Sequence, residues 1–144
     1  MGGSRAVLMV GLFLLASASA PLASSHTQQT LTVILVEDGV VSGNITDPAF
    51  VQGNALWFRM EDNTENTTMK VRLDIDQDGV FNASNDFEST DLVHECELNE
   101  TGALVDEDCA VSATYAFSMN ATVGTYAFWV HRTSNETETV WNHT

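Results

Sequence analysis

Beyond residue 25 the apolar residues of this chain fall on alternate positions. Met69, Val71, Leu73 and Ile75 alternate with Lys70, Arg72 and Asp74. Val111, Ala113, Tyr115, Phe117 and Met119 alternate with Ser112, Thr114, Ala116 and Ser118. Leu56, Phe58 and Met60 flank Trp57 and Arg59, and Tyr126, Phe128 and Val130 alternate with Thr125, Ala127, Trp129 and His131. A period of two places each apolar set on one face of an extended strand. No apolar pattern at helical spacing persists for three turns, so helices are not expected. "TLTVILV" (30–36) is a β-branched run, read as a strand buried on both faces or at an edge. "GVVSGNI" (39–45) reads as a short strand after the turn Glu37-Asp38-Gly39. Segments 92–98 and 137–141 are further strand candidates. The total is seven or eight strands of roughly five to nine residues. One sheet cannot hide that many one-faced strands, whereas two sheets packed face to face can. The expected fold is all-β, a two-sheet antiparallel β-sandwich of immunoglobulin-like or jelly-roll type.

The first 25 residues follow a different pattern. Arg5 precedes an apolar run of 11 residues, Ala6 to Ala16, and the small residues Ser17-Ala-Ser-Ala20 follow. Basic start, short apolar middle and Ala-x-Ala exit are the order of a secretory signal. Cleavage is expected after Ala18 or Ala20, or near Ser25. The run is far shorter than the roughly 20 residues that span a bilayer. A retained anchor or a pilin-type stem is the competing reading of this segment. Residues 26–144 are then a single domain, secreted or at the cell surface, with no membrane span in the mature chain.

Charge narrows the possible partners. The chain has 5 Lys+Arg against 20 Asp+Glu, and Lys70 is its only lysine. Such a surface repels nucleic acid and attracts cations. Acid excess with lysine nearly absent resembles the composition of proteins from salt-loving archaea. Asparagine adds a second signal. Seven of the ten asparagines head N-x-[ST] triplets: Asn44, Asn66, Asn82, Asn99, Asn120, Asn135 and Asn142. Chance would give about two at this Ser and Thr content, so N-glycosylation is expected. The two cysteines, Cys96 and Cys109, are expected to form a disulfide in an exported chain.

The stretch "DIDQDGVFNASND" (74–86) carries the candidate chemistry. Calcium takes six to eight oxygens, and a loop supplies them from alternate residues if it curls around the ion. Asp74, Asp76 and Asp78 occupy places one, three and five, with Gly79 at the turning place six. Val80 would offer its carbonyl at seven, and Asn82 falls at nine. Asp86, one residue late, completes the candidate set. The stretch resembles EF-hand and dockerin loops in "DxDxDG" and in the asparagine at nine. It departs at place twelve, where Asn85 stands. The expectation is a single calcium loop between strands, with affinity about 10⁻⁴ to 10⁻³ M as in extracellular modules. Asn82 also heads a sequon, so ligation and glycosylation compete there.

Two further likenesses bear on fold. "VGTYAFWV" (123–130) looks like the closing strand of many extracellular sandwiches. "EDGVVSGNITDPAFVQGNALWFRM" followed by "TMKVRLDID" is similar to the opening of bacterial and archaeal pre-peptidase C-terminal domains. Both imply a secreted sandwich.

No catalytic role is expected. The chain holds no G-x-S-x-G, no HExxH and no phosphate loop. A His94–Glu95–His131 site is conceivable but rests on no diagnostic spacing. The function expected is that of a calcium-stabilised, glycosylated structural or interaction protein whose partner is an extracellular protein or glycan. The alternative is a carbohydrate- or protein-binding module accessory to a secreted enzyme, using Trp57, Trp129 and Trp141.

Overall fold

A computed structural model describes residues 27–46 and 50–144. The expected signal segment, 1–25, lies outside the described residues. Eight strands follow in order: β1 (Thr30–Val36), β2 (Gly39–Val40), β3 (Ala55–Met60), β4 (Thr67–Leu73), β5 (Phe87–Glu88), β6 (Ser112–Ala116), β7 (Phe128–Ser134) and β8 (Thr137–His143). They form two four-stranded sheets, ordered β2-β1-β3-β6 and β5-β4-β7-β8. The fold is therefore an all-β, two-sheet sandwich.

The alternation read from sequence builds the core between the sheets. Val33, Leu35, Leu56, Phe58 and Met60 come from the first sheet, and Met69, Val71, Leu73, Phe128 and Val130 from the second. Phe58 and Phe128 meet across the gap, ring centroids 5.8 Å apart. Truncating such a buried ring to alanine costs about 3–5 kcal/mol. Leu92 and Phe117 reach the core from connecting segments.

Several strands differ from expectation in place or length. β1 lies inside its sheet, between β2 and β3, and buries one face only. Its neighbour on one side is the hairpin partner β2, reached by the turn at Glu37 and Asp38. On the other side β1 runs parallel to β3, with Val33 opposite Phe58. All other strand pairs are antiparallel. Residues 92–98 form no strand; Leu92 and Leu98 make isolated bridges only. Strand β7 starts at Phe128, so "VGTYAFWV" feeds the penultimate strand rather than the closing one. The β7–β8 hairpin turns at Asn135 and Glu136, both at positive φ, with Ser134 paired to Thr137. This two-residue geometry matches the twist of the flanking strands.

Cys96 and Cys109 are joined as a disulfide. It closes a loop in which no strand is assigned, and such a cross-link contributes about 3 kcal/mol in the chain-entropy model.

Candidate metal centre

Strand β4 delivers the acidic loop. Leu73 ends the strand inside the core, and Asp74 follows at only 1% exposure. Alternation cannot continue here, because the chain must curl. Gln77 and Gly79 supply the curl with left-handed backbone, φ 60 and 80°. Short aspartate side chains hold successive turns by capping nearby N–H groups. Gly79 N donates to Asp74 Oδ2 (2.7 Å), Asp78 N to Asp76 Oδ1 (3.3 Å) and Val80 N to Asp78 Oδ1 (2.8 Å).

Asp74, Asp76 and Asp78 each bring one carboxylate oxygen within 4.8 Å of the others. Oxygens that share a calcium ion at about 2.4 Å are at most about 4.8 Å apart, so the spacing suits that ion. Among the described residues this is the one group of three or more metal-capable acidic, histidine or cysteine side chains. The ion pairs found there involve Arg59, Lys70, Arg72, His131 and Arg132, and none reaches these three aspartates. Like charges at this separation repel by about 1 kcal/mol per pair in water and about 3 kcal/mol at an effective dielectric of 20. A second observation points the same way. Asp74 Oδ1 is buried and has no hydrogen-bond partner. A buried carboxylate oxygen without a donor is costly, and a cation is the group that would satisfy it.

The remaining sequence candidates have different neighbours. Asp86 braces the loop. Its Oδ1 accepts from Ile75 N (2.8 Å) and its Oδ2 from Asn82 N (2.7 Å). Asn82 Oδ1 accepts from both the N–H and the hydroxyl of Ser84, at 3.1 and 2.7 Å. Its carbonyl side is thus held by its own sequon rather than by the aspartates. Val80 lies in the same loop with its side chain in solvent. Two side chains outside the candidate ligand set also make hydrogen bonds here. Asn85 Nδ2 donates to Asp76 Oδ2 (3.4 Å), and Gln77 Nε2 donates to Thr125 O (3.4 Å).

All seven sequon asparagines are exposed, as a glycan acceptor must be. Asn99 repeats the Asn82 arrangement, with Thr101 N and Oγ1 both donating to Asn99 Oδ1. His94 and Glu95 sit exposed in the segment that leads into the disulfide loop, whereas His131 bonds Glu138 on the outer face of the second sheet (2.7 Å). Trp57 and Trp129 are half-buried in outward-facing rows, and Trp141 packs against the core.

No family model matches the chain, and no curated protein or solved structure is significantly similar to it.

Proposed function

We propose that this protein is a secreted, N-glycosylated, calcium-stabilised β-sandwich with a structural or interaction role at a cell surface or in the extracellular medium. The observation that carries this reading is the aspartate cluster around Asp74, with its buried and unpartnered oxygen. The export-type N-terminus, the exposed sequons and the acidic surface support it. A net charge of −15 with one lysine also suits saline surroundings, as in proteins of salt-loving archaea. The ion's task in this reading is to staple a connection, and no reaction is assigned.

Calcium titration of thermal unfolding tests the proposal. With a dissociation constant of 0.1 to 1 mM, about 10 mM calcium stabilises the fold by about 1.4–2.7 kcal/mol. EDTA reverses the shift, and magnesium, which keeps its water and wants shorter bonds, gives less. An unfolding midpoint unmoved by calcium removes the staple.

A second reading has one observation in its favour. No sequon lies on the strands β1, β2, β3 and β6, and Trp57 stands on their outer face with the Arg59 guanidinium over its ring. A glycan-free sheet face bearing tryptophan suits a carbohydrate- or protein-binding module. Glycan-array binding that Trp57→Ala abolishes would establish it, and a blank array counts against it.

A further inference from the structure

Residues 118–127 run between β6 and β7 without joining either sheet. Their internal ties are short-range: Ala121 N to Ser118 O, Asn120 N to Ser118 Oγ, and the Tyr126 hydroxyl to Thr122 O. Gln52 Nε2 reaches Ala121 O from outside. At the C-terminal end of the segment, the hydrogen bonds to the rest of the molecule come from the aspartate loop. Asp74 N donates to Ala127 O (2.9 Å), and Gln77 Nε2 donates to Thr125 O. The same Gln77 amide lies so close to Gly124 that a Cβ there would meet it at 2.7 Å. A larger residue at 124 would displace the Gln77 amide, and at φ 153° its own backbone would be strained. Residues 123–126 of this segment also wall a cavity of about 500 Å³, which Leu73, Phe117 and Phe128 line as well. Val123, on that wall, is 82% exposed.

Gln77 sits between Asp76 and Asp78 in a left-handed conformation. Its side-chain position therefore depends on how those two carboxylates are held. Without a cation the three like charges push the loop open, and Gln77 moves with it. With a cation they converge, and the amide is pressed onto Gly124 and Thr125. We infer that cation binding at Asp74, Asp76 and Asp78 clamps residues 118–127 over the aromatic cavity, so that calcium sets whether this end of the sandwich is closed. The inference rests on the calcium reading above and adds a moving part to it. The clamp couples two segments because both share the Gln77 contact, not because the ion touches residues 118–127.

Amide hydrogen exchange of the full chain, with EDTA and with about 10 mM calcium, reads the clamp directly. The expected result is at least about tenfold slower exchange across 118–127 in calcium, with β1 unchanged as internal reference. Gln77→Ala, which removes the amide and leaves all three carboxylates in place, is expected to keep the calcium-dependent thermal shift and lose that protection. Three outcomes overturn the clamp. If the thermal shift persists but exchange at 118–127 does not respond, the staple stands and the clamp falls. If protection survives in Gln77→Ala, the coupling through Gln77 is wrong. If neither observable responds to calcium, the metal site and the clamp fall together.

Discussion

Asp74 combines two demands on one side chain. Its Oδ2 closes the loop by accepting from Gly79 N, while its Oδ1 faces burial without a donor. An unsatisfied buried acceptor costs about 1–3 kcal/mol, and more when it is charged. Asp74→Asn keeps the shape and removes the charge. The metal-free variant is expected to unfold about 1 kcal/mol harder than the metal-free wild type, because a penalty of that order is relieved. Calcium is expected to add nothing to it. Parallel urea titrations in EDTA and in calcium check both halves. A variant that is weaker without metal and still responds to calcium would show that Asp74 is not a ligand. Spacing alone makes the three aspartates readable as a group. The arrangement within residues 74–86 was not readable, because Asp86 and the three clustered aspartates share one chemistry. Only the backbone path shows that Asp86 spends both oxygens on Ile75 and Asn82.

Between elements, the main polar tie across the sandwich lies beyond the end of β3. Asp62, from the connection after β3, is buried against Arg132 of β7, with Arg132 Nε on Asp62 Oδ2 at 2.7 Å. Thr64 completes the site, donating its N–H and hydroxyl to Asp62 Oδ1. Burial alone would raise the Asp62 pKa. The bonds from Arg132 and Thr64, with the guanidinium charge, outweigh it and hold the carboxyl below its usual value. A carboxylate with a depressed folded pKa stabilises the fold above its unfolded value near pH 3.9, and that contribution is lost as pH falls through the folded value. Arg132→Met is expected to cost about 3–5 kcal/mol at pH 7, since it strands a buried charge. In that variant burial acts unopposed, so Asp62 takes up a proton more readily. The gap to wild type therefore narrows on going from pH 7 to about pH 4, read from urea midpoints at each pH. A gap that is constant with pH would mean that packing, not charge, is what Arg132 supplies.

At the same scale the inner faces of β3, β4 and β7 follow directly from alternation. The parallel pairing of β1 with β3 does not, because period-two patterning is the same for either direction. Strands β2 and β5 have two residues each, too few for any pattern to register. The turn at Asn135 and Glu136 is set by backbone sign, and only the asparagine hints at it.

Over the whole molecule, composition and topology speak to different questions. Charge and sequon density are legible in the sequence itself. The location of seven exposed asparagines is not: the strands of one sheet carry none, while Asn142 lies in β8 of the other. The other six lie in turns and connections, a placement set by the fold, because the sequons are spread along the chain from residue 44 to residue 142.

The strand orders carry a consequence for how the molecule is made. The first sheet takes β1, β2 and β3 from residues 30 to 60 but waits for β6 at Ser112. The second takes β4 and β5 early and waits for β7 and β8, which begin at Phe128 and Thr137. Made amino end first, neither sheet can be completed before Ser112 and the strands after it are available. Completing the sheets therefore depends on pairings between residues far apart in sequence, such as Phe58 with Ala113 and Val71 with Val130, and such long-range closure is the slow part of folding.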